Sequence, residues 1–252
     1  MQYKYAKENL DYTDFASGRV LYSLPGHPAF PVRLASEIFQ RCVAIRETTN
    51  KNTTPCVMYD PCCGTAYHLS VLAHMHREQI REVIASDVDK KAIEFANRNL
   101  DLLSSTGIDK RIDEISKMIE LYNKDAHKDA LQSAYILKNR VSASETEHPL
   151  VTRAFQANVT DRKLILKNIK PKYVDIVFAD VPYGQHSLWQ ASDFNASLNP
   201  LWSMLDTLIG VLSPSSVVAL VSDKRQKISH ESYQRSEQFQ IGKRRVVILK
   251  PV

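Results

Sequence analysis

Apolar and polar positions along the 252-residue chain change period several times, and each change marks a predicted element. From Val32 the run VRLASEIFQRCVAI returns an apolar residue every three or four positions, the spacing of a helix with one buried face. PCVMYD follows as a short buried strand. YHLSVLAHMHRE then places Leu69, Leu72, Ala73 and Met75 at helical spacing. EVIASD predicts a second strand, and DKKAIEFANRNLDLL a helix with an aspartate at its N-cap. RAFQAN, VDIVFADV and SVVALVSD are three more strand-like runs. Strands alternating with helical segments predict an α/β fold: a mostly parallel, Rossmann-like sheet with helices on both faces.

Two stretches break the alternation. From Asp109 to Val141 the apolar positions Ile112, Ile115 and Ile119, then Ala130, Leu131, Ala134 and Leu137, describe two successive helices, and polar SASETEHP follows. A helical hairpin inserted at about 105–148 accounts for them. Near the end, FQIGKRRVVILK reads as two strands around Gly242; with no helix between them they are antiparallel. Ahead of Val32 lie Tyr3, Tyr5, Tyr12 and Tyr22 and the turn-rich LPGHP, an irregular arm whose tyrosines are expected to pack on the core. The predicted organisation is an arm and helix over 1–50 packed on a domain spanning 51–252.

Composition changes this picture little. Hydrophobic residues make up 44% and charged ones 24%, ordinary for a globular protein. No run approaches the roughly 18 apolar residues of a membrane helix, and MQYKYAKENLDY has no apolar core of a signal peptide. Four cysteines do not make a secreted disulfide framework, so a cytoplasmic, monomeric protein without a membrane partner is expected. The excess of 33 basic over 28 acidic residues permits a polyanionic partner without demanding one.

Chemistry concentrates in VMYDPCCGTAYHL. Cys62 and Cys63 are adjacent, Cys42 and Cys56 lie elsewhere, and His74 and His76 are two apart on a helix. Zinc and redox pairs need other spacings, so no metal is expected and the cysteines fill a tight turn. The strand ending in Asp60, the turn at Gly64 and a second strand ending in Asp87 fit a ribose-binding half of a dinucleotide-type fold. A single glycine is poor for a pyrophosphate, which favours a ribose ligand without phosphate, such as S-adenosylmethionine. In VFADVPYG, Asp180 closes a strand, Val181 is held extended by Pro182, and Pro182 has no N–H. That turn offers acceptors to an amine, and Tyr183 a flat face for a base.

DPCCGTAYHL, ASDVD and ADVPYGQHSLW together resemble the class I S-adenosylmethionine-dependent methyltransferases and, among them, the AviRa family of avilamycin-resistance rRNA methyltransferases. LPGHPAFPVRLASEIFQR, QIGKRRVVIL and the helical insert are similar to that family too. The resemblance implies S-adenosylmethionine held around Asp60, Pro61, Cys62, Gly64, Thr65, Asp87, Val88 and Asn158. It implies methyl transfer to the N2 amine of a guanine in large-subunit ribosomal RNA at Asp180, Val181, Pro182 and Tyr183. Three positions depart from the family pattern: Ala66 replaces a second glycine, Val181 a first proline, and Asn158 an aspartate. An amino methyltransferase acting on adenine in RNA or DNA, or a noncatalytic RNA- or cofactor-binding module, remains an alternative. A nicotinamide dehydrogenase is disfavoured by the poor glycine pattern. Lys224, Arg225 and Lys227, and Lys243, Arg244 and Arg245, are candidate phosphate contacts, and His186 and Trp189 candidate pocket walls.

Overall fold

The structure, a computed structural model, describes residues 3–181 and 199–252. Its strands are β1 (Cys56–Asp60), β2 (Ile80–Asp87), β3 (Val151–Gln156), β4 (Val174–Asp180), β5 (Leu212–Asp223), β6 (Tyr233–Ile241) and β7 (Arg244–Pro251), joined in one sheet in the order β3-β2-β1-β4-β5-β7-β6. The first five run parallel; β7 lies antiparallel to β5 and to β6. The sheet is thus mostly parallel with an antiparallel C-terminal strand, as the alternation and the helix-free Gly242 hairpin predict. Strand order reverses between β1 and β4, and ligands of open α/β sheets bind beyond the carboxyl ends at such a point. Asp60, Asp87, Asp180 and Asp223 stand at four of those ends.

The helices are α1 (Val32–Asn50), α2 (Tyr67–Met75), α3 (Lys90–Asp101), α4 (Ser105–Tyr122), α5 (Asp125–Ser144), α6 (Arg162–Asn168) and α7 (Pro200–Ile209). α1, α2 and α3 bury Leu34, Ile38, Leu69, Leu72, Ile93 and Leu100 against one face of the sheet. α6 and α7 bury Ile165, Met204, Leu205 and Leu208 against the other. α6 and α7 are not singled out by hydrophobic spacing. α6 has only seven residues, too few to display a period, and α7 is a single ten-residue run whose buried face is Leu201, Met204, Leu205 and Leu208. The hairpin of α4 and α5 packs Ile112, Ile115, Ala134 and Leu137 on Tyr67 and Val71 of α2 and on Val20 and Leu21 of the arm.

Polar side chains pin the arm. Glu37 of α1 is fully buried and accepts the backbone N–H groups of Lys4, Tyr5 and Ala6 at 2.7, 2.8 and 2.8 Å. Arg41 answers its charge at 2.6 Å and reaches Glu237 of β6 at 2.7 Å. Arg33 lies 4.1 Å from the centre of the Tyr3 ring, and Arg98 and Arg111 lie 3.7 and 4.2 Å from that of Tyr22. These tyrosine rings are covered by guanidinium groups, so the arm packs on the core through them.

Candidate active site at the carboxyl edge of the sheet

The turn after β1 is built from backbone donors. Cys62 N–H donates to Asp60 Oδ1 at 2.9 Å, Cys63 N–H to the Ser86 carbonyl at 3.0 Å, and Gly64 N–H to Asp87 Oδ2 at 2.8 Å. Gly64 has φ +52°, and a Cβ there would stand 3.0 Å from His27 Nδ1. Glycine is therefore favoured by both conformation and contact. Ala66, where the family pattern has glycine, sits at φ +54° with its methyl group buried, a strained but close-packed entry to α2.

Asp87 is half-buried, and its other oxygen accepts Asp89 N–H at 3.0 Å. Each oxygen thus takes one backbone bond and keeps a lone pair for a ligand hydroxyl. Beside it, the Val88 carbonyl accepts Gln156 Nε2 at 2.9 Å. Asn158 Oδ1 accepts the Thr160 N–H and hydroxyl at 3.0 and 2.9 Å, an Asx turn leading into α6. The Thr65 carbonyl accepts Asn99 Nδ2 at 2.8 Å, and Pro61 is buried.

Asp60 has no exposed surface and shapes the turn from behind. Its Oδ2 lies 3.2 Å from His68 Nε2 without a hydrogen bond's alignment. Burial pushes the Asp60 carboxyl well above the usual range, helped by the negative charges of Asp87 and Asp180. Burial also depresses the His68 imidazole to about 4, so the ring is neutral at pH 7 and the contact is not an ion pair. The Cys62 thiol is pushed up by burial and then by Asp60, Asp87 and Asp180, which shows the three acids converging on this edge.

Asp180 is different. Its Oδ1 is buried with no hydrogen-bond partner among the described residues. Burial raises its carboxyl to about 6, against a smaller opposing pull from the Arg244 guanidinium. Val181 N–H donates to the Val221 carbonyl at 3.0 Å and its side chain enters the core, which fixes the backbone at Asp180. Pro182, Tyr183, His186 and Trp189 lie outside the described residues.

The pattern of the sequence does not reveal the part played by the arm. His27 reaches the Gly64 turn and stands 3.7 Å from Asp89. Phe30 packs edge-on against Phe178 at 5.5 Å, and Arg244 lies 5.4 Å from the Phe30 ring centre. The nearest signal is LPGHPAF, where Gly26 at φ +88° and two prolines bend the chain. The two basic clusters also differ. Lys224, Lys227 and Lys243 are exposed, Arg225 binds Asp223 at 3.2 Å, and Arg244 and Arg245 are half-buried opposite Asp223 and Ser222.

The family described as "rRNA methyltransferase AviRa" matches residues 1–244. The chain is 37% identical over 248 residues to a Streptomyces viridochromogenes protein named 23S rRNA (guanine(2535)-N(1))-methyltransferase, covering 98% of this chain and 95% of the relative. A crystal structure of the rRNA methyltransferase AviRa from Streptomyces viridochromogenes superposes with a TM-score of 0.85 at 36% identity, over 98% of this chain and 96% of that one. A putative class I S-adenosylmethionine-dependent methyltransferase from Listeria monocytogenes shares the fold alone, with a TM-score of 0.50 at 12% identity over 91% of this chain and 62% of its own.

Proposed function

Because this chain belongs to the AviRa family of rRNA methyltransferases, we propose that it methylates a guanine of large-subunit ribosomal RNA at ring nitrogen N1, with Asp180 as the base. The motifs alone favour the N2 amine; the relative's name carries N1, and the chemistry of Asp180 supports N1 too. An exocyclic amine needs only acceptors for its hydrogens. Guanine N1 carries a proton in the ring plane, and its lone pair becomes available only when that proton leaves. A carboxyl raised to about 6, with Oδ1 free of protein donors among the described residues, is ionised at neutral pH and more basic than an ordinary aspartate. That observation carries the reading.

S-adenosylmethionine is the methyl donor of this fold, and supplies an electrophilic methyl group on a sulfonium. The residues present fit it: a half-buried Asp87 with spare lone pairs beside a turn whose left-handed backbone and approach to His27 favour glycine at 64. Asp87 would hold the ribose hydroxyls, and Gly64 and Thr65 would shape the wall. Val88 and Asn158 would border the adenine, and Asp60, Pro61 and Cys62 would fix the turn. The Asp180 carboxylate would accept the proton that guanine N1 loses, and the sulfonium donor would supply the methyl group that replaces it. Tyr183, in the same motif, would stack on the guanine, and Pro182 would keep the turn rigid. Fixed placement supplies much of the acceleration.

A base paired in folded RNA would have to leave its stack to reach this edge. No helix among the described residues is long and apolar enough to cross a membrane, and we propose a monomer working in the cytoplasm. Mass spectrometry of nucleosides from ribosomal RNA treated with the protein and S-adenosylmethionine tests the reading. N1-methylguanosine is expected; N2-methylguanosine would move the acceptor to the amine, and methyladenosine would overturn the substrate.

A further inference from the structure

We propose that the cleft between the start of α7 and the segment after β5 is a nucleotide subsite, where an unstacked base of the RNA substrate lies on Trp202 and its phosphate meets Lys227. This rests on the reading of the protein as an rRNA methyltransferase. The cleft has a volume of about 320 Å³ and is lined by Asn199, Leu201, Trp202, Lys227 and Ser229. That size falls at the lower end of small-molecule sites, about 300–1,000 Å³.

Its aromatic wall is held in place before any ligand arrives. Trp202 stacks on His230 with ring centres 4.6 Å apart and planes at 24°, and its indole N–H donates to Glu231 Oε2 at 3.1 Å. His230 is locked in turn: Nδ1 accepts Ser232 N–H at 3.1 Å, and the ring meets Tyr233 edge-on at 5.4 Å. Tyr233 donates its hydroxyl to the Leu205 carbonyl of α7 at 2.9 Å, closing the loop of contacts. A ring backed on one face and anchored at its N–H can offer the other face with little loss of side-chain entropy. Stacking on such a face is tolerant of base identity, which suits a nucleotide flanking the target.

Charge and position agree. Lys227 is exposed and forms no salt bridge among the described residues, so a phosphate would meet an unneutralised ammonium group there. The segment carrying Lys227 leaves the carboxyl end of β5, the strand paired with β4, whose last residue is Asp180. The cleft therefore opens beside the reacting edge, on the α7 face of the sheet and away from the α1–α3 face.

The test measures the affinity of the full chain for a labelled single-stranded RNA of about ten nucleotides. Trp202→Ala is expected to weaken binding on the order of 10- to 100-fold, while Trp202→Phe stays within a few-fold because a ring remains. Lys227→Ala should lower the slope of log affinity against log salt by about 0.7. Affinity for S-adenosylmethionine should not change in any of the three. A folded Trp202→Ala variant with parental RNA affinity would overturn the proposal. If that variant does not fold, an unchanged salt slope in Lys227→Ala overturns it instead. Methyl transfer to protein-free large-subunit RNA separates this from the function itself. No transfer by the parent contradicts the function, whereas transfer with the same KM in parent and Trp202→Ala contradicts only the subsite.

Discussion

Asp87 and Asp180 end two strands of the same sheet, and their surroundings are opposite. Both oxygens of Asp87 receive backbone N–H groups, from Gly64 and Asp89, and the residue is half-exposed. Asp180 has one oxygen buried without a donor among the described residues, and a carboxyl pushed up to about 6. The first is a carboxylate already oriented by two backbone donors, with lone pairs left for ligand hydroxyls. The second is left under-solvated, suited to accepting a proton. On the proposed function, this difference would make β1–β2 the binding end of the edge and β4–β5 the reacting end.

The largest effect expected from breaking this division is at Asp180. Asp180→Asn keeps an acceptor that would serve an amine but removes the base that a ring nitrogen needs. Single-turnover methyl transfer should fall by about 10²- to 10⁴-fold, with cofactor affinity nearly intact by calorimetry. The same variant should be more stable than the parent at pH 8. The folded carboxyl titrates near 6 and the unfolded one near 3.9, so the parent is stabilised below 3.9 and loses that stability as pH rises through 6. Thermal unfolding at pH 8 should therefore favour the variant by up to about 3 kcal/mol.

The buried histidines of α2 and of its C-terminal cap give the opposite pH response. Burial holds His68 and His76 near 4 and His74 near 3, whereas unfolded histidines take up protons near 6.5. Folding is thus favoured above 6.5, and its stability falls with acid until the folded values are reached. Between pH 7 and pH 5 the loss should be on the order of 3–6 kcal/mol by denaturant unfolding, and His68→Gln should reduce it.

Asp87→Ala removes ribose acceptors and leaves Gly64 and Asp89 N–H without partners, so S-adenosylmethionine should bind about 1–3 kcal/mol more weakly by calorimetry. An unchanged affinity would erase the distinction between the two ends. The smallest effect is at Ala66. Ala66→Gly relieves a left-handed backbone but gives up a buried methyl group worth about 0.8 kcal/mol, and stability should move by less than about 1 kcal/mol.

Much of this arrangement could be read from the chain because local chemistry writes it. Asp60, Gly64, Asp87 and Asp180 are legible as strand ends and a turn, and the helical hairpin and the Gly242 strand pair are legible from periodicity. What stays hidden depends on contacts between distant segments. His27 comes 3.0 Å from a Cβ that Gly64 does not have, and no local pattern predicts that approach. The stack of Trp202 on His230 joins α7 to the segment before β6. The choice between N1 and N2 is hidden too, because the same Asp-x-Pro turn presents acceptors to either nitrogen. The proposed choice of N1 leans on the degree of burial at Asp180, and burial belongs to the fold.

The pH dependence of kcat/KM for RNA methylation tests the base role most directly, because it reports ionisations of the free enzyme. The account predicts a rate that climbs about tenfold per pH unit below 6 and levels off above it, with the rise lost in Asp180→Asn. A profile flat from pH 5 to pH 8 in the parent, or an Asp180→Asn variant that keeps the parental profile and rate, would contradict it.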